Sequence, residues 1–304
     1  PIPVDSTYEE GTVDTGVVIK YKNSEFVWVP VPNVVYDSTN ENASNIPTST
    51  TKSTENGYTY TPMAIEVSGN YYGILYSYSS TAGAYLRYPS ATNYQGTTSG
   101  CREPALLSSY DTDSQYYNTV LGYESSTDFG TAIQQEYNAM IESVTKYGGF
   151  FVGRYETSYN ATTSKVESVS DVVPTSAGNT NTYRWYGLYQ KQKEFTTSTD
   201  KMVSEMIWGS QYDAMLNWAL EGADKSHVTA TTNGNHSGSV VTTGNSTYSA
   251  DKINNIYDLE GNLREWTQEA FNTNARVSRG GSYGGSYSPS FRDYSYYPNS
   301  TATS

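Results

Sequence analysis

Thiols are almost missing from this chain: Cys101 is the only cysteine among 304 residues. No intrachain disulfide can form, and no thiolate cluster can be assembled for zinc or iron–sulfur chemistry. Histidine is nearly as scarce, with His227 and His236 the only two. Basic residues number 18 against 31 acidic ones, giving a formal net charge of -13. Nucleic acid is thereby set aside as a partner, because phosphate binding needs a basic stripe that releases counterions, and none is visible. No apolar run approaches the length of a membrane span, and no charged-then-apolar signal opens the sequence. Its start at Pro1 reads as that of a processed product or an excised piece, separated from any anchor or upstream module.

What the chain has instead is tyrosine, 31 of them, with abundant Ser, Thr, Asn and Gly. Such a length supports one large domain or two ordinary ones, with enough apolar surface to fold without staples. Near the start, GVVIKYKNSEFVWVPV predicts a hairpin within residues 16–36, its strands running from Val17 to Tyr21 and from Phe26 to Val31. Residues 37–125 lose periodicity and read as an irregular, aromatic-rich surface insert. In SSTDFGTAIQQEYNAMIESVTKYGG, the apolar residues Ile133, Tyr137, Met140, Ile141 and Val144 share one helical face, and Gly148 stands at the C-terminal cap.

FFVGRY, from Phe150 to Tyr155, has strand character, and NTNTYRWYGLYQ reads as another strand or extended segment. GSQYDAMLNWALEG predicts a second helix, with Ser210 and Asp213 resembling a capping box, a Tyr212, Met215, Leu216, Ala219 and Leu220 stripe, and Gly222 as its end. Residues 223–250, which hold both histidines, read as a long exposed loop. No repeat emerges at a fixed period. The order of elements predicts a single α+β domain across residues 1–304, with two helices, short strands and long irregular loops.

In YDLEGNLREW, Asp258, Gly261, Leu263 and Glu265 are spaced so that two carboxylates and two main-chain carbonyls can converge on a cation. Oxygen ligation of that kind suits Ca²⁺. By spacing alone, an ordinary Asp–Leu–Glu–Gly–Asn turn explains the segment as well. Adjacent acids such as Glu9 with Glu10, or Asp111 with Asp113, have no surrounding apolar pocket and read as solvated loop acids, and Trp208, Trp218 and Trp266 read as core.

Four blocks carry a resemblance: FFVGRYE (Phe150–Glu156), MIWGSQYDAMLNWAL (Met206–Leu220), IYDLEGNLREWT (Ile256–Thr267) and RVSRGGSY (Arg276–Tyr283). In this order, over roughly half the chain, they resemble the signature blocks of the formylglycine-generating enzyme (sulfatase-modifying factor) superfamily. The resemblance implies a C-type-lectin-like fold and a structural calcium held by Asp258, Gly261, Leu263 and Glu265. Enzymes of that family oxidise a cysteine with copper held by two cysteines after Arg–Gly–Gly–Ser; those positions here are Gly285 and Ser290. Soft Cu(I) needs sulfur, so no copper and no enzymatic activity are expected, an oxidase with atypical ligands being the rival reading. The related iron-dependent sulfoxide synthases need a histidine cluster that two loop histidines cannot supply.

Closer still is the resemblance to the variable proteins of diversity-generating retroelements, found in phages and their bacterial hosts. In those proteins adenine-directed mutation rewrites a C-terminal cassette that the lectin-like fold displays. Asn codons mutated at their adenines do not reach Lys, Met, Gln, Glu or Trp, and none of these occurs between Ser282 and Ser304. The resemblance implies a hypervariable ligand-binding segment, residues 282–304. Tyr283, Tyr287, Tyr294, Tyr296 and Tyr297 would anchor a ligand, since tyrosine offers a large stiff contact surface with few torsions to freeze. Ser282, Gly284, Ser286, Ser288, Ser290, Asp293, Ser295, Asn299 and Ser300 would add adaptable polar contacts.

Arg279, Gly280, Gly281 and Arg292 read as scaffold. A protein or glycan on a cell or particle surface is the expected partner, and a phage virion, bacterial surface or secreted location is implied. A disordered tail, or an inert structural virion or surface protein, would account for the same composition. The chain reaches Ser304 without the Gly–Phe–Arg strand that usually closes such a cassette, which leaves the cassette's limits open.

Overall fold

The structure, a computed structural model, describes residues 3–31, 53–55, 58–60, 63–67, 69–79, 84–87, 103–104, 117–174, 185–271 and 275–296. Strands β1 (Ser6–Glu10), β2 (Val18–Tyr21) and β3 (Ser24–Pro30) form an antiparallel meander. The predicted hairpin is β2–β3, with Lys22 turning the chain at φ +53°. Within the region read as irregular, three short antiparallel hairpins occur: β4 (Ser53–Glu55) with β5 (Tyr58–Tyr60), β6 (Ala64–Val67) with β7 (Asn70–Gly73), and β8 (Tyr76–Ser79) with β9 (Ala84–Arg87). Their strands are three or four residues long, too short for a periodicity to stand out from the polar background.

Helix α1 (Ser126–Tyr147) follows the expectation closely. Ser125 caps it by accepting the Asp128 amide at 3.1 Å, and Gly148, at φ +76°, returns its N–H to the Val144 carbonyl. Its stripe, Ile133, Tyr137, Met140, Ile141 and Val144, is buried in the main core together with Val27 and Val29 of β3. Strand β10 (Gly149–Gly153) then pairs with β3, giving a four-stranded sheet in the order β1-β2-β3-β10. A small hairpin, β11 (Ser158–Asn160) with β12 (Lys165–Glu167), lies outside that sheet.

Of the segment expected to be extended, residues 179–184 lie outside the described residues, and residues 185–190 belong instead to helix α2 (Trp185–Lys193). Its aromatics mimic a strand, yet Trp185 and Tyr189 are one turn apart, stack at 5.1 Å and are both buried. Helix α3 (Gly209–Ala219) is the second helix expected, with a different start. Gln211 closes its first turn by accepting the Trp208 amide at 3.0 Å. Ser210 is turned inward to Tyr137, hydroxyl to hydroxyl at 3.0 Å, and Asp213 serves the core, so the expected Ser210–Asp213 capping box does not form. Gly222 lies beyond Leu220, which already ends the helix in a right-handed conformation.

The loop expected to be exposed at 223–250 is folded inward in part, burying Val228, Asn235 and Thr243 and adding short 3₁₀ turns at His227–Thr229 and Ser246–Asp251. A second antiparallel sheet closes the described chain, β13 (Glu265–Ala270), β14 (Arg276–Arg279) and β15 (Arg292–Tyr296), in that order. Trp208, Trp218 and Trp266 are buried, in line with their reading as core. Helices combined with antiparallel sheets make this an α+β chain. No helix among the described residues is long and apolar enough to cross a membrane.

An ion network ties α3 to the second sheet. Asp213 accepts from Arg279 and Arg292, both at 2.7 Å, and Glu269 faces the same two guanidinium groups at 3.9 and 3.1 Å. The Tyr76 amide adds a third donor to Asp213 at 2.9 Å. All four charged side chains are buried. Beside them, Glu103 accepts the Gly209 and Ser210 amides at the start of α3, at 2.5 and 2.8 Å.

Burial, with Glu269 nearby, pushes the Glu103 carboxyl up to about 8 against the pull of its donors. The folded chain thus keeps that proton until about pH 8, whereas an unfolded glutamate releases it near ~4.3. Stability from this group is complete below the lower value and is lost as pH rises toward the upper one, by at most about 1.4 kcal/mol per pH unit. The melting temperature is expected to fall between pH 5 and pH 8, and to fall less in Glu103→Gln, which mimics the protonated form. Parallel curves for the two proteins would refute the assignment.

Candidate functional site

The YDLEGNLREW segment turns through two left-handed residues, Asp258 at φ +66° and Asn262 at φ +64°. Asp and Asn tolerate this region better than most side chains, which is why they occupy these two places. The Asn262 side chain is saturated. Its oxygen accepts from Asn235 at 3.1 Å and from the Val241 amide at 2.8 Å, and its nitrogen donates to Glu156 at 2.6 Å and to the Val241 carbonyl at 3.1 Å. Glu156 also accepts the Leu263 amide at 2.6 Å. One amide side chain thereby joins the end of the FFVGRYE block, the 235–241 loop and the turn itself.

Several carboxylates share this neighbourhood. Asp251 accepts the Glu260 amide at 2.9 Å, Asp258 accepts the Gly244 amide at 2.8 Å, and Tyr212 reaches Glu265 at 3.4 Å. Burial above all, then mutual repulsion, raises Glu156, Asp251 and Glu265 well above the ordinary carboxylate range, and burial raises Asp258 to about 6. Asp258 and Glu265, paired in the sequence reading, therefore sense one another in the fold. Glu265 Oε1 is sealed from water and has no hydrogen-bond partner, an oxygen that a hard cation would satisfy. Among the described residues, no three acidic, imidazole or thiol side chains converge on a point where they could hold a metal by themselves. A calcium here would rely on main-chain oxygens, the part the sequence gives to Gly261 and Leu263.

The Arg–Gly–Gly–Ser block crosses this turn at close quarters. Gly280 sits at φ +78°, and a Cβ on Gly281 would lie 1.5 Å from the Glu260 carbonyl oxygen. Only glycine lets the two chains pass. Arg279 and Arg292, on either side of the 280–291 segment, are the two guanidinium groups of the buried network, so both are scaffold.

Between those anchors the chain is ordered by its own hydrogen bonds. The Tyr283 amide donates to the Asn262 carbonyl, the Tyr287 amide to Gly285 and the Phe291 amide to Ser288, at 2.8 to 2.9 Å. His236 Nδ1–H donates to the Ser282 carbonyl at 2.9 Å, and the Ser290 amide reaches Val228 at 3.1 Å. Tyr287 and Phe291 stack at 4.2 Å, with the Arg264 guanidinium over both rings at 5.0 and 5.4 Å. A disordered tail is not what residues 282–291 form.

The predicted ligand-binding residues separate into groups. Gly284, Ser286 and Tyr287 face solvent, Tyr287 with 39% of its surface exposed, and Tyr283, Ser288 and Ser290 are half-buried beside them. Ser288 and Ser290 hydrogen-bond each other at 2.7 Å. Ser282 is a correction: at 5% exposure it lies under the Tyr283 turn, and its side chain is not part of a solvent face. Asp293 is half-buried and ion-paired with Arg264. Tyr294, Ser295 and Tyr296 continue β15, and Tyr297, Asn299 and Ser300 lie outside the described residues, as do Cys101, Asp111 and Asp113.

Gly285 and Ser290, the two positions where the enzymes would carry cysteine, are both half-buried in the same loop. His236, which holds the loop, and Asn235 and Asp251, which brace the 258–265 turn, escaped sequence reasoning because none belongs to a local pattern, while Glu156 was legible only as the end of the FFVGRYE block. Comparison with protein-family models, with curated proteins and with solved structures finds no match to this chain.

Two neighbouring glycines give opposite expectations. Gly281→Ala drives a methyl group into the Glu260 carbonyl and should lower the melting temperature steeply or prevent folding. Gly284→Ala points into open space and should leave the melting temperature within about a degree or two. Equal effects of the two substitutions would show that the 280–285 segment is not held as described.

Proposed function

We propose that this is a non-enzymatic recognition protein with a C-type-lectin-like fold, whose C-terminal segment, residues 282–304, is a ligand-binding face diversified by a retroelement. One observation carries the reading: an exposed run of Tyr, Gly and Ser around Tyr287 is held between two buried arginines, Arg279 and Arg292. Recognition by exchangeable side chains needs this division, because a rigid base keeps the exposed positions in place while their identities change. Tyr287 is the principal described anchor, with Tyr283, Gly284, Ser286, Ser288 and Ser290 around it; Tyr294, Tyr296 and Tyr297 belong to the proposed segment by sequence.

The ligand is a protein or glycan displayed on a cell or particle, and the protein is carried on a phage virion or bacterial surface, or secreted. Gly285 and Ser290 provide no thiol at the copper positions, which supports a binding role over oxidation of cysteine. Sequencing the locus in sibling isolates tests the proposal. Substitutions confined to adenine-derived codons after Arg279 are expected; an invariant segment would favour an inert structural part, and copper-dependent turnover of a cysteine peptide would favour an oxidase.

Calcium belongs to the same proposal as a structural ion. Asp258 and Glu265 would supply carboxylate oxygens and Gly261 and Leu263 carbonyls, and the ion would neutralise acids that otherwise repel one another in a dry interior. Bound only by the folded chain, it would raise the melting temperature, by an amount set by RT ln(1 + [Ca²⁺]/Kd). The melting temperature should rise with added Ca²⁺ and fall with a chelator, and the Asp258→Ala, Glu265→Ala double variant should respond to neither. A wild-type protein that ignores both would exclude the site.

A further inference from the structure

A cavity of about 840 Å³ flanks β10, the edge strand of the first sheet; none of residues 282–296 lines it, although Arg264 at its wall packs over Tyr287. That volume is within the range of small-molecule sites, roughly 300–1,000 Å³. Phe151, Val152, Leu188, Met202 and Ile207 line it, from β10, α2 and the 202–207 segment that leads into α3. All five are only half-buried although they pack beside the core, because the cavity takes the place of a neighbour.

Of the glutamates in this wall, Glu205 is the one on the 202–207 segment. Glu205 lines the cavity, and both hydrogen bonds to its carboxyl fall on Oε2, from Trp208 Nε1 at 3.1 Å and Gln268 Nε2 at 3.5 Å. Oε1 takes neither of these hydrogen bonds. Burial first, then Glu136, pushes this carboxyl up to about 7, against the pull of Trp208, Lys193 and Gln268. A carboxylate in such surroundings gains most from a cation that brings its own apolar body, since the pair is then formed out of water. Glu156, Glu167 and Glu265 also line the cavity. Of the basic residues at its walls, Lys201 is exposed to solvent and Arg264 is engaged by Asp293.

We propose that this cavity is a second binding site, taking an apolar or aromatic primary amine whose ammonium pairs with Glu205. It does not depend on the C-terminal face being variable. Three probes of one shape and different charge test it: 4-phenylbutylamine, 4-phenylbutanol and 4-phenylbutyrate, titrated calorimetrically into the full chain at pH 8. The amine should bind at least about tenfold more tightly than the alcohol, a difference of about 1.4 kcal/mol, and the acid should not bind. Glu205→Gln should reduce the amine to the affinity of the alcohol. If that variant folds poorly, Leu188→Trp, which fills the cavity and keeps the carboxylate, should abolish amine binding. Equal affinities for the three probes, no amine binding at all, or amine binding that survives either substitution would overturn the site.

Discussion

Four buried charges tie the second sheet to α3. Asp213 on α3 and Glu269 on β13 meet Arg279 on β14 and Arg292 on β15, all four buried from bulk solvent. Two guanidinium groups and two carboxylates balance formally, and planar arginine forks suit such a site because they offer several donors in fixed directions. Burying the four groups has a desolvation cost that packed apolar residues would avoid, so net stability is a weak account of the network. Geometry is a better one. Removing any member strands an opposite charge in a dry interior, and shifting a strand by one residue would do the same. The network therefore fixes the register of β13, β14 and β15 against the helix more tightly than apolar packing, which tolerates sliding.

That fixed register is what makes the 280–291 segment a platform. Arg279 and Arg292 enter the core at its two ends, and Gly280 and Gly281 let it cross the 258–265 turn at a distance no side chain would allow. From the other side, His236 and Val228 receive its backbone. What remains outward is small or flat: Gly284, Ser286 and the Tyr287 ring, stacked on Phe291 under the Arg264 guanidinium. Order comes from buried groups and main-chain bonds, while the exposed side chains make few of the contacts that hold the loop. By their side chains, Gly284 and Ser286 contribute nothing that the loop's main-chain bonds depend on, whereas Tyr287 also packs within the loop.

The acids of the 251–265 region follow the same division. Glu156 receives Asn262 and the Leu263 amide, and Asp251 receives the Glu260 amide, so each braces a backbone that cannot pair within a strand. Burial first, then mutual repulsion, raises Glu156, Asp251 and Glu265, and this is the tension that the proposed cation would relieve.

Much of the frame was legible in the chain. The α1 stripe and its Gly148 cap, the β2–β3 hairpin, the α3 stripe and the core tryptophans all express short-range rules: a period of 3.6, apolar runs about a polar turn, a positive-φ glycine. Local rules also misled, since the tyrosines and tryptophan of α2 carry β propensity and only their burial one turn apart decides for a helix. Ser210 and Asp213 satisfy a capping pattern by spacing, yet stronger partners at Tyr137 and the two arginines claim them. By itself, then, the sequence determined which groups are available: no thiol pair, almost no histidine, paired glycines beside an arginine, and a run of tyrosine and serine. Only the tertiary structure decided which of them meet, because Asp213 with Arg292, Glu156 with Asn262 and His236 with Ser282 are far apart along the chain. Such pairs form through burial and desolvation of the whole domain, and no spacing rule encodes them.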